Sequence, residues 1–222
     1  MRRVLLLAVL LCGTVYAFAG AQTYTFIGFS GGDWQAGYPY YITAGPAGQI
    51  IAVMCDDYFH GGSIGQTWQA NLTDLGSDNL SLTRFNTFAP GPNALVNLLL
   101  YDEAGWILLQ TIVEPTGDWK DMNSAVWTIF DPNAPCNSQC QSWIAAAQQE
   151  GQIGFPGVDF NKVYIITPVN QHDPNPNGIQ EFMYIGEDPS GGGKNGSQTP
   201  EPGTLVLMAT GILAIFRRKF FA

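Results

Sequence analysis

The segment ALVNLLLYDEAGWILLQTI, residues 94 to 112, constrains the fold more than any other. With the two runs that follow it, it forms the helical part of a chain whose flanking segments have strand character. Its apolar positions 95, 98, 101/102, 105 and 108/109 keep an approximate helical period, with Asp102 and Glu103 expected to face outward. In DWKDMNSAVWTIF, Met122, Ala125, Val126 and Ile129 fall at i, i+3, i+4 and i+7, and Asp118 is placed to cap the start. A third, shorter helix is predicted from Ser142 to Glu150. Ahead of this block, strands are predicted at Thr23 to Phe29, Tyr38 to Thr43, Gln49 to Cys55 and Thr67 to Leu72. After it come KVYIITPV from Lys162 and IQEFMYIG from Ile179. Strands, then helices, then strands predict an α+β domain, a largely antiparallel sheet with a central block of two or three helices on one side.

Charged residues are only 12 % of the chain, against 26 Gly and 14 Pro, so turns should be plentiful and the surface largely uncharged-polar. The cations are unevenly placed. Arg2 and Arg3 stand at the start and Arg217, Arg218 and Lys219 at the end, while Arg84, Lys120, Lys162 and Lys194 are the cations between residues 22 and 198. All but one of the 18 acidic residues lie in that same span. So acidic a body repels phosphate backbones and anionic headgroups, which excludes nucleic acid as its partner and places any membrane contact at the two ends.

MRRVLLLAVLLCGTVYAFAGAQ has a basic start, an apolar stretch from Val4 to Leu11 and small residues at a cleavage position, so residues 1–21 are expected to be a secretory signal peptide cut by signal peptidase. A lipoprotein signal at Cys12 is disfavoured by Leu11, which stands where a small residue is needed. Residues 188–199 form a Gly/Ser/Asn tether, and residues 200–222 a tail of Pro-Glu-Pro, an apolar run and three cations. Thr204 to Phe216 covers about 20 Å at ~1.5 Å per residue, short of a ~30 Å hydrocarbon core, and the following cations extend its reach to the headgroups. A core helix should be amphipathic, and this one has no polar face. Cations after the helix predict a cytoplasmic C-terminus with the body, residues 22–187, exported.

Pro200-Glu201-Pro202, the hydrophobic run and Arg217-Arg218-Lys219 together resemble the PEP-CTERM sorting signal of Gram-negative bacteria. The resemblance implies an exosortase-like membrane protease as partner, cutting near Pro200-Glu201-Pro202. It also implies transient anchoring in the inner membrane at Arg217, Arg218 and Lys219, and delivery to the cell surface or extracellular matrix, with exopolysaccharide as an associated ligand.

The exported body keeps Cys55, Cys136 and Cys140. PCNSQC sets two thiols four residues apart in a Pro/Asn/Ser loop, and in an oxidising compartment a Cys136–Cys140 disulfide is expected ahead of a two-ligand metal site. Cys55 stands where the apolar run IIAVM turns polar at Asp56-Asp57. Cys55-Asp56-Asp57-Tyr58, Tyr101-x-x-Ala104-x-Trp106 and Ala125-Val126-Trp127-x-x-Phe130, in that order, resemble the thioester domains of Gram-positive adhesins. There a strand cysteine acylates on a glutamine side chain and leaves an electrophile for amines. In this chain Asn123 occupies the glutamine position, one methylene shorter, so the resemblance implies for Cys55 and Asn123 either the bond or a noncovalent contact.

Other chemistry finds less support. His60 and His172 are the only histidines and match no zinc spacing; both are expected in loops, and neither a metal nor a cofactor is expected. HDPNPNG lacks EF-hand spacing for calcium. Asp56-Asp57 and Asp102-Glu103 are the acid pairs on which a secreted carbohydrate-active hydrolase would depend, yet adjacent carboxylates on a strand point to opposite faces. The clustered Trp34, Tyr38, Tyr40 and Tyr41 fit hairpin core better than an exposed sugar platform. The expected function is therefore a non-enzymatic surface or matrix protein in adhesion or exopolysaccharide association, with a reactive thioester adhesin or a hydrolase as alternatives.

Overall fold

The computed structural model describes residues 21–29, 39–45, 48–85, 94–113, 119–169 and 178–186. The chain divides between Gly186 and Glu187 into two units. The second unit, with the expected tether and C-terminal hydrophobic helix, lies outside the described residues, as do residues 1–20, Trp34, Tyr38, Asp118 and His172.

Six strands rich in β-branched and aromatic residues make the sheet: β1 (Gln22–Phe29), β2 (Tyr40–Ala44), β3 (Gln49–Cys55), β4 (Thr67–Asp74), β5 (Val163–Pro168) and β6 (Phe182–Ile185). All pairings are antiparallel. The expected one-sided layer is instead a closed barrel in the order β1-β2-β3-β6-β5-β4. Closure comes from two long-range pairings. β1 pairs with β4 through Tyr24↔Trp68, and β3 meets β6 through Met54↔Met183 and Cys55↔Phe182. It satisfies backbone groups that an open sheet would leave at its edges. β1 bends into the curve at a bulge between Phe26 and Gly28, where φ is 152°, a conformation that only glycine adopts without strain.

Alternation sorts the side chains into two cores. Tyr24, Phe26, Tyr40, Ile42, Val53, Cys55, Trp68, Tyr164, Ile166, Phe182 and Tyr184 fill the barrel, where the rings of Tyr24 and Trp68 stack with centroids 6.1 Å apart. Their neighbours Met54, Val163, Ile165 and Met183 point outward and form the second core with the helices. β5 is consequently buried along its whole length. The chain is α+β, with the helices over one part of the barrel wall.

The long helices among the described residues are α1 (Ala94–Val113), α2 (Trp119–Phe130) and α3 (Ser138–Gln152). α3 begins one turn ahead of the predicted Ser142 because Asn137 caps it, its side chain accepting from the N–H of Cys140 at 2.9 Å. The Cys136–Cys140 disulfide, with Cα atoms 5.3 Å apart, spans that first turn. Glu103 does not face outward as expected. α1 is apolar nearly all round and packs against both α2 and α3, so Glu103 is buried and Asp102 half-buried. On another side of α1, a Cβ at Gly105 would meet Leu75 Cδ2 at 2.6 Å. Gly105→Ala is therefore expected to destabilise the protein by about 1–3 kcal/mol despite alanine's better helix propensity, as read by urea unfolding.

Candidate functional site

β3 ends by delivering Cys55, Asp56 and Asp57 to one mouth of the barrel, and all three side chains are fully buried. The Cys55 thiol is tied to the Asp57 peptide: Sγ–H donates to the Asp57 carbonyl at 3.2 Å, and the Asp57 N–H approaches Sγ at 3.4 Å. The Cys55 N–H donates to Oδ1 of Asn123 on α2 at 3.2 Å, while Asn123 Nδ2 has no partner. The two residues that the thioester resemblance pairs are thus adjacent in space. Burial, then the charges of Asp57 and Asp56, push the thiol well above its ordinary pKa, so it is held neutral. The indole of Trp127 works against this shift, although its N–H meets no acceptor at hydrogen-bond distance.

Asp57 organises the loop beyond β3. Its Oδ1 accepts the Phe59 N–H at 3.1 Å, and its Oδ2 lies 2.7 Å from His60 Nδ1 and accepts from Arg84 Nη1. Nδ1 of His60 also lies within hydrogen-bond distance of Arg84 Nη1, and Nε2, closed to solvent, has no partner. Arg84 also donates through Nη2 to the carbonyl of Ile179 at 2.6 Å and through its backbone N–H to Glu181 Oε2 at 2.8 Å. Glu181, just ahead of β6, accepts in addition from Tyr101 OH on α1 at 2.5 Å and from Thr167 on β5.

Asp56 is the unbalanced member. Neither of its carboxylate oxygens has a hydrogen-bond partner, and burial, followed by the charges of Glu181 and Asp57, raises its pKa well above the usual range. Burial also raises Glu181, against the pull of Thr167, Tyr101 and Arg84. The cluster thus sets one guanidinium and one imidazole against three carboxyls, and burial holds Asp56 well above the usual carboxylate range.

Outside this cluster the mouth opens into a cleft of about 450 Å³. The ends of β1 and β2 supply Phe26, Phe29 and Tyr40; the loop after β3 supplies Tyr58, Phe59 and His60; α2 supplies Trp127.

Sequence reasoning placed some of these groups and missed others. Asp56 and Asp57 lie just past the strand and both are closed off from solvent, Asp57 facing His60 and Arg84 and Asp56 without a hydrogen-bond partner. His60 is in a loop, as expected, but buried. Tyr40 is barrel core and Tyr41 half-buried. Gly61-Gly62-Ser63-Ile64-Gly65 has the spacing of a nucleophile elbow, yet Ser63 is exposed and leads into strand β4 rather than a helix. Arg84, Tyr101, Thr167 and Glu181 carried no motif. The signals that could have pointed to them were a lone cation in the first half of the body and a single acid inside the apolar segment IQEFMYIG. Among the described residues no cluster of three metal-ligating side chains occurs, and no helix is long and apolar enough to cross a membrane.

The tail carries the remaining signal, and residues 198–219 match a known protein-sorting motif. It is the PEP-CTERM motif. The match takes in Pro200, Glu201 and Pro202 and runs through Arg217, Arg218 and Lys219. A PEP-CTERM motif implies processing by exosortase, a membrane protein, and hence export with membrane-anchored sorting before the protein reaches the surface or the medium. No curated protein and no solved structure matches the chain.

Proposed function

We propose that the body, residues 22–187, serves at the cell surface or in the extracellular matrix as a non-enzymatic binding domain, in adhesion or exopolysaccharide association. The observation that carries this reading is the PEP-CTERM motif at residues 198–219, which addresses the body to the outside. Burial supports the binding role over hydrolysis. Asp56 and Asp57 are fully buried and Glu103 is 5 % exposed, so the acid pairs do not line an open cleft that could hold a glycosidic bond and a water.

The test is the intact mass of the protein recovered from outside cells with a working sorting system. The expected species lacks the signal peptide and the residues beyond about Pro202 and carries one disulfide. A mass that still includes Arg217 to Ala222 would remove the sorting reading.

A second reading, a reactive adhesin, draws on the placement of Asn123 beside Cys55, whose backbone N–H donates to the Asn123 side-chain oxygen. In it Sγ attacks the Asn123 carboxamide carbon, the S–C bond forms, the C–N bond breaks, and the nitrogen leaves as ammonia with the thiol proton. The same mass spectrum decides: a species short by one ammonia and shifted by methylamine supports it, and a titratable thiol after unfolding eliminates it.

A further inference from the structure

We propose that the cleft at the barrel mouth binds a neutral saccharide, a proposal that rests on the surface-binding reading above and names its ligand. Three observations converge on this chemistry. Tyr58 at 40 % and Phe59 at 58 % exposure are the two aromatics among the exposed large hydrophobic side chains of the described residues, and both line the cleft. Their rings lie 6.4 Å apart at 59°, and Tyr58 is backed by the buried Trp127 at 5.4 Å, so Tyr58 and Phe59 supply the exposed aromatic faces of the wall. Such faces accept the apolar C–H side of a pyranose ring. The volume, about 450 Å³, falls in the ~300–1,000 Å³ range of small-ligand clefts.

A wholly apolar ligand is disfavoured by His60. The residue is 7 % exposed, its Nδ1 faces Asp57 and Arg84, and its Nε2 has no partner while the ring lines the cleft. Nε2 is unpartnered in either tautomer, and a ligand hydroxyl, which both donates and accepts, suits it in both. Gln180 adds an amide to the same lining. An anionic ligand is disfavoured by charge: no Lys, Arg, Asp or Glu is among the described lining residues, and the body around them is strongly acidic. Stacking faces, an unpartnered imidazole nitrogen and no charge together specify an uncharged, hydroxyl-bearing ring.

The test titrates the full-length chain, in a detergent without a sugar headgroup, with cellohexaose, mannohexaose and, as the charged counterpart, hexagalacturonate. Calorimetry and tryptophan fluorescence provide the readouts. At least one neutral hexasaccharide should bind and perturb the fluorescence, and Tyr58→Ala and Phe59→Ala should each weaken binding about tenfold. Both side chains are exposed, so unfolding midpoints should stay close to the parent's and exclude misfolding as the cause. Absence of binding to either neutral sugar, affinity unchanged in both variants, or tighter binding of hexagalacturonate would overturn the proposal. Delivery to the surface is read separately by the tail-cut mass, so a cut tail with no saccharide binding rejects this ligand and leaves the sorting reading in place.

Discussion

Arg84→Met should cost the protein about 3–5 kcal/mol at neutral pH, seen as a large drop in the urea midpoint. Arg84 is 4 % exposed and serves the carboxylate of Asp57, the Ile179 carbonyl and, through its backbone, Glu181. Methionine fills much of the same volume but leaves Asp57 with only the His60 imidazole in place of the guanidinium, in a site that also holds Asp56 and Glu181. The cost is chiefly that of uncompensated buried charge, and only secondarily that of the missing hydrogen bonds. Arg84→Lys should rescue only part of it, because a single ammonium cannot reach both Asp57 and the Ile179 carbonyl in the geometry of the guanidinium fork. Lowering the pH should narrow the gap between Arg84→Met and the parent, since the stranded carboxylates can then take up protons. A midpoint change of less than about 1 kcal/mol would mean that Arg84 is not the electrostatic centre of the cluster.

The secondary structure was largely legible in the sequence, since periods of 2 and 3.6 are written in neighbouring residues. β3 begins and ends where the apolar run QIIAVMC does, and α1 overruns its predicted end by one residue. Barrel closure was not legible, because β1–β4 and β3–β6 pairing depends on residues far apart in the chain and leaves no local mark. The outward placement of Glu103 failed for a related reason. Local pattern assigns an acid on a mostly apolar helix to solvent, but a helix packed by two others and a barrel has little solvent face to offer. At the site, the neighbourhood of Cys55 and Asn123 could be anticipated from short segments. The partnership of Arg84 with Asp57 and of Glu181 with Tyr101 and Thr167 could not, because each joins separate elements through side chains that look ordinary alone.

Stability should fall as the pH rises from about 5 to 8, contrary to the usual gain of a protein whose carboxylates sit in ion pairs. Asp102 is half-buried on α1, and burial, then Asp78, then Glu103, raise its pKa from 3.8 to about 7. The folded state therefore holds a proton that the unfolded chain releases at its ordinary, lower pKa. Its contribution is fully present below about pH 4 and is lost as the pH climbs through 7. Asp56, Glu181 and Glu103 are shifted in the same direction by burial, so their contributions add in sign. Asp102→Asn isolates the residue that is most open to solvent. The variant should match the parent near pH 4 and exceed it at pH 8 by about 1 kcal/mol, less than a fully buried carboxyl would give because water screens the charge. Thermal unfolding of both proteins across this range measures the difference, and a parent whose midpoint rises steadily from pH 5 to 8 would show that these carboxyls are ionised in the fold.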